Sequence, residues 1–132
     1  MVTWPERLGE LVKQHCRERG YSLLDDTVRA DGYRYLSVGV PDHEEPVRLE
    51  FNGELFLLHM PGGYQWQEFA YEDEDRTDAL SGILEFLDAY VDPATVEVTV
   101  SRMLGGARRE LRLSNGAVLR LHGWSRSATR KT

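Results

Sequence analysis

An α+β fold, a mostly antiparallel sheet of about six to seven strands with two helices packed against it, is predicted by three observations. Two segments carry apolar residues at helical spacing. The stretches between and after them alternate apolar and polar residues, which is the period of a half-buried strand. Short turn signals join those stretches as hairpins, so neighbouring strands run antiparallel and the helices pack against the sheet.

The first helix is expected over about residues 4 to 19. Thr3 and Glu6 have the spacing of a capping box, and Pro5 suits the first turn. Leu8, Leu11, Val12 and His15 recur at i, i+3, i+4 and i+7, and Gly20 stands at the C-terminal cap. Tyr21-Ser22-Leu23-Leu24 reads as a short strand. The Asp31-Gly32 turn then opens onto alternation at Leu36, Val38 and Val40, which Pro41 stops.

Val47-Arg48-Leu49-Glu50-Phe51 alternates strictly, and Asn52-Gly53 leads into the run Glu54 to Met60. Asn-Gly between two such runs predicts a type I′ hairpin, both residues accepting positive φ. Pro61-Gly62-Gly63 turns the chain again into Tyr64-Gln65-Trp66-Gln67-Glu68-Phe69-Ala70-Tyr71, an aromatic strand whose alternation slips near Glu68, where a bulge is expected. Alternation sets Tyr64 and Trp66 on one face and Phe69 and Tyr71 on the other, so one pair faces solvent.

A second helix, capped by Thr77 or Asp78, places Leu80, Ile83, Leu84, Leu87 and Val91 on one face and ends at Asp92-Pro93. Val96 to Val100 alternates, Gly105-Gly106 turns the chain, and Glu110 to Leu113 faces Val118 to Leu121 across Ser114-Asn115-Gly116. Residues 125 to 132 carry no apolar periodicity and are expected to be a disordered basic tail. The expected domain is therefore residues 1–124.

The 132 residues are 41% hydrophobic and 29% charged, the profile of an ordinary globular domain. One cysteine, Cys16, excludes an intramolecular disulfide and a multi-cysteine zinc site, and it suits a reducing compartment, so a cytoplasmic location is expected. No basic and then apolar leader and no run of about 18 apolar residues is present, so no membrane partner is expected.

The net charge of −6 is unevenly spread. Residues 1 to 100 hold 8 basic and 21 acidic side chains, a balance of −13, whereas residues 101 to 132 hold 8 basic and one acidic, a balance of +7. Any partner of the body meets a negative surface, and any partner of the last third a positive one.

The densest acidic feature is Glu72, Asp73, Glu74 and Asp75, followed by Asp78. It suits a basic protein partner, or it is a solvated run beside a helix N-terminus, whose dipole favours negative charge. A divalent cation fits poorly, because the Asp-Gly geometry of a calcium loop is missing. Aromatic rings lie just before it, and a mixture of rings and carboxylates is the composition of a protein interface. The residues favoured for partner binding are Trp66, Tyr71, Glu72, Asp73, Glu74 and Asp75.

His15, His43, His59 and His122 form no metal-ligand spacing, and His15 on the apolar stripe reads as structural. Adjacent helix positions point about 100° apart, which argues against a pair made by His15 and Cys16. No nucleophile elbow, phosphate loop or dinucleotide fingerprint occurs, and no catalytic residue, metal or cofactor is expected. The Arg-rich C-terminal hairpin, with Arg108, Arg112 and Arg120 beside His122, and the basic tail of residues 125 to 132 raise nucleic acid as an alternative partner of a regulator, but the −13 body repels a duplex. Their pairing with the acidic body is the other reading.

Leu36-Ser37-Val38-Gly39-Val40, an acidic loop, Ala79-Leu80 with Glu85-Phe86-Leu87, and Asp92-Pro93 before a Val-rich strand together resemble the immunity proteins of bacterial, actinobacterial-type polymorphic-toxin systems. The resemblance covers about residues 36 to 100. The strand Val96 to Val100 departs from it in lacking the tryptophan that family often carries. It implies an inhibitor that binds one cognate toxin and blocks its active site, without catalysis.

Overall fold

The computed structural model describes residues 4–101, 106–122 and 125–130. Two helices and nine strands are formed among them, in the order α1 (Trp4–Arg19), β1 (Ser22–Val28), β2 (Arg34–Gly39), β3 (Val47–Phe51), β4 (Leu55–Met60), β5 (Tyr64–Phe69), α2 (Asp75–Val91), β6 (Val96–Ser101), β7 (Ala107–Arg112), β8 (Ala117–His122) and β9 (Ser125–Arg130). The α+β class and the antiparallel pairing are as expected. The strands form two sheets instead of one, β1-β2-β3-β4-β5 and β6-β7-β8-β9, each in sequence order. The division falls at α2, which takes the chain away from β5 and returns it as the edge strand of a new meander.

α1 has the predicted bounds, and its buried stripe is Leu8, Val12 and Cys16. The Thr3 cap lies outside the described residues. At the other end the Tyr21 N–H donates to the Cys16 carbonyl at 2.9 Å, closing the last turn around Gly20. Gly9, inside the helix, answers to a close approach: a Cβ there would lie 2.3 Å from the Arg34 guanidinium carbon. Arg34 is itself buried and donates to Asp26 through Nε at 2.8 Å and through a terminal nitrogen at 2.6 Å. Those bonds outweigh the burial of Asp26 and hold its carboxyl below the usual range.

β1 runs longer than the Tyr21–Leu24 strand predicted, continuing through Asp25 and Asp26 because Arg34 and Lys13 partner the second of these. The β3–β4 hairpin forms where Asn52-Gly53 predicts it, but not through a type I′ turn. Gly53 has positive φ and Asn52 does not. The Asn52 side-chain oxygen instead accepts from the N–H groups of Glu54 and Leu55 at 3.0 and 2.9 Å, so the side chain organises a longer loop.

No bulge interrupts β5. Its register with β4 is continuous from Leu55 opposite Phe69 to Met60 opposite Tyr64. The inner face of the five-stranded sheet presents Leu36, Val38, Leu49, Phe56, Leu58 and Tyr64, all buried. α1 packs against β1 and β2, and α2 against β4 and β5. Leu111, Ala117 and Leu119 of the second sheet join the same core, where β8 and β9 approach β5.

α2 begins at Asp75, ahead of the Thr77 or Asp78 cap expected, because Glu74 already has helical dihedrals and the Asp75 N–H bonds to the Glu72 carbonyl at 3.0 Å. Asp88, near its end, ties α2 to α1 and to the α1–β1 connection. It accepts from the Tyr21 hydroxyl at 2.6 Å and from Arg19 at 3.3 Å, and pairs with His15 Nε2 at 2.9 Å. Beyond α2, the Thr95 hydroxyl donates to the Ala89 carbonyl and accepts from the Ser114 N–H, which couples the helix to the second sheet.

Residues 125–130, expected without regular structure, form β9, paired with β8 from Ala117 opposite Arg130 to His122 opposite Ser125. Strand pairing rests on backbone groups, which apolar periodicity does not report. Residues 131 and 132, and Gly105 of the predicted Gly105-Gly106 turn, lie outside the described residues. Among the described residues no helix is long and apolar enough to cross a membrane.

Candidate functional site

The strand β5 sorts the aromatic run by face. Trp66 lies opposite Leu58 on the inner side, its ring stacked on Phe86 of α2 with centroids 4.0 Å apart. Its indole N–H donates to Glu68 at 2.9 Å. Trp66 is thus packed against the core, and the structure does not bring it together with Tyr71. Phe69, at the end of the strand, faces outward opposite Leu55 and is 56% exposed. Tyr71, just past it, is 88% exposed, and its ring lies 6.5 Å from that of Phe69 at an interplanar angle of 18°. Phe69 therefore joins the candidate edge, although the sequence reading favours Trp66.

Glu72, Asp73 and Glu74 follow in the exposed turn before α2, and Asp75 is half-buried at the helix start. The turn is tied down at its base. Asp75 reaches back to accept from the Glu72 N–H at 3.2 Å, and Asp73 pairs with Arg76 at 3.1 Å. Arg76 also donates to the Gly53 carbonyl at 3.2 Å and lies over the Trp4 ring at 5.0 Å, fastening the turn to the β3–β4 loop and to α1. Across from the turn, the Ala70 N–H bonds to the Glu54 carbonyl at 2.8 Å, which sets a further exposed acid alongside.

The carboxylates crowd one another. A hydrogen bond shared with Glu72, and then the charge of Asp75, push Glu74 above its ordinary value. Such crowding marks a negative potential that an approaching cation relieves. The edge therefore combines two exposed rings with a concentrated acidic turn on a fixed base. No group of His, Cys, Asp or Glu among the described residues is arranged to hold a metal ion.

The Arg-rich hairpin has a different arrangement from either reading of the sequence. Arg108 and Arg112 of β7 and Arg120 of β8 converge on the buried carboxylate of Glu110, at 3.0, 3.3 and 3.2 Å. Burial works against the charged form of Glu110, but the hydrogen bonds from Arg120 and Arg112 and the charge of Arg108 outweigh it, and its pKa is lowered. Among the described residues these arginines pair with Glu110, within the last third, which neither reading of the sequence expects. The side chain of His122 lies outside the described residues.

Cys16 is buried at 2% exposure, and burial together with the charge of Asp88 pushes its thiol up, away from the thiolate a nucleophile requires. His43 meets the Tyr90 hydroxyl at 3.1 Å, and His59 approaches Glu50 at 3.3 Å. Two clefts flank the Pro61–Gly63 turn, of about 420 and 310 Å³, one lined by Glu45, Arg48 and His59 and the other by Tyr90, Glu97 and Arg109. Neither is lined by any residue of the 69–75 edge. The chain matches no protein-family model, no curated protein and no solved structure.

Proposed function

We propose that this chain is a protein-binding module that engages a basic partner through Phe69, Tyr71 and Glu72–Asp75. The observation that supports this reading most is the exposure of two large rings directly beside the densest acidic turn. Aromatic anchors ringed by charge are what protein interfaces use, the rings for contact energy and the charges for steering and selection.

The resemblance of residues 36 to 100 to immunity proteins gives the partner a class. In that reading the chain acts in the cytoplasm as an inhibitor of a cationic toxin, nuclease-type toxins being cationic because they hold phosphate. Binding alone suffices, and no catalytic step is part of the proposal.

The test is association kinetics with the protein that co-purifies from the native host. Lysine at Glu72, Asp73 and Glu74 together is expected to slow association at low salt by about tenfold or more and to flatten its dependence on ionic strength. An unchanged on-rate and an unchanged salt slope remove this edge from the reading.

A further inference from the structure

Three aromatic pairs stand at positions i and i+2; Tyr64 and Trp66 pack inward, and the other two differ in what covers them. In a strand, such residues point to one side and lie about 6.7 Å apart along the chain. Tyr33 and Tyr35 are the first of these two, with centroids 6.1 Å apart. Arg29, at the start of the β1–β2 turn, lays its guanidinium over Tyr35, 3.9 Å from the ring centroid. Phe69 and Tyr71 are the second, more nearly parallel at 18° and 6.5 Å apart. Among the described residues, the cations that lie over rings are Arg29 and Arg76, on Tyr35 and Trp4. The second pair is therefore the more exposed and the one without such a cap.

Its surroundings select for positive charge. Glu72, Asp73 and Glu74 follow directly, and Glu54 stands across from Ala70. A guanidinium is planar, stacks on aromatic faces with little desolvation cost and pairs side-on with a carboxylate, whereas an ammonium is a strongly hydrated point charge. The two ring planes lie within 18° of parallel, so the rings present faces of similar orientation on which a planar group can stack.

We infer that Phe69 and Tyr71 form a clasp for an arginine side chain presented by the protein partner, with the neighbouring carboxylates pairing the same guanidinium. This rests on the protein-binding reading above and names the chemistry of what binds. It predicts selectivity for arginine over lysine, which a purely electrostatic acidic patch does not have.

The full chain, isotopically labelled, is titrated with an acetylated and amidated Gly-Arg-Gly-Arg-Gly peptide and with its lysine counterpart, following backbone and ring resonances. The arginine peptide is expected to shift Phe69, Tyr71 and Glu72 at about threefold lower concentration than the lysine peptide. Tyr71→Ala, at a position 88% exposed, is expected to leave the fold intact and to abolish that preference while the weaker charge-driven response persists. Equal response to the two peptides, centred on residues 69 to 75, overturns the clasp but leaves the basic-partner reading standing. Absence of shifts at Phe69 and Tyr71, or an arginine preference that survives Tyr71→Ala, overturns it as well. The charge-reversal kinetics above decide separately whether the edge binds the partner at all.

Discussion

Trp66 and Phe69, three residues apart in one strand, face opposite sides of the sheet: the indole is stacked on Phe86 beneath α2, while the phenyl ring is 56% exposed beside Tyr71. That opposition separates a structural aromatic from the one proposed to bind. Trp66→Ala is expected to destabilise the fold by about 2–3 kcal/mol, the lower end for removing a large aromatic because the ring is only half-buried. Phe69→Ala and Tyr71→Ala are expected to stay within about 0.5 kcal/mol of the parent while weakening partner binding. Urea denaturation of the three variants beside a binding assay checks the split.

Asp26 and Arg34 give the acid limb of the stability profile. The folded pKa of Asp26 lies below its unfolded value. The pair's contribution is therefore fully present above the unfolded carboxylate range, about pH 4, and is lost as pH falls through the folded pKa. Asp26→Asn is expected to cost about 3 kcal/mol at neutral pH, because it leaves the buried Arg34 charge without its counterion. Melting temperature measured between pH 2 and 7 is expected to fall less steeply below pH 4 in the variant. A parallel fall in both proteins contradicts the account.

Glu110 holds three arginines together, so its removal converts attraction into repulsion. Glu110→Ala is expected to destabilise by about 3 kcal/mol at low ionic strength and to recover part of that loss in salt, which screens like charges. The parent has no comparable recovery. Urea midpoints at about 0.05 and 0.5 M sodium chloride, between which the Debye length falls from roughly 14 to roughly 4 Å, read this difference.

Cys16 is enclosed by α1 and its neighbours, and its thiol is pushed toward the neutral form. Labelling by a disulfide reagent is expected to follow the opening of the fold, remaining slow in native protein at pH 8 and becoming rapid in denaturant. Rapid labelling of native protein contradicts the burial.

The helices and hairpins were legible in the sequence because their signals are local. Leu8 and Val12 on one stripe, the Pro93 stop and the Asn52-Gly53 turn each lie within one element. The division into two sheets was not legible, since nothing in residues 64–71 or 96–100 specifies whether those strands pair across the intervening helix. β1 extends through Asp25 and Asp26 because of Arg34, a partner eight residues away whose burial composition does not reveal. The strand β9 rests on backbone pairing with no apolar signal.

At the candidate edge, the acidic run was visible as composition, and alternation separated Trp66 from Phe69 and Tyr71. Which of those faces is covered depends on α2 and Phe86, a tertiary fact. Phe69 was accordingly less visible than Trp66, although the same alternation that placed Trp66 inside places Phe69 outside.

The edge of Phe69, Tyr71 and Glu72–Asp75 is proposed above to contact a basic protein partner. Site-specific photocrosslinking in the native host tests it most directly, with the photoreactive residue replacing Tyr71 in one variant and the exposed Glu18 on α1 in another. A discrete adduct with a basic protein is expected from position 71 and none with that protein from position 18. The same adduct from both positions, or from position 18 alone, would contradict the proposed contact.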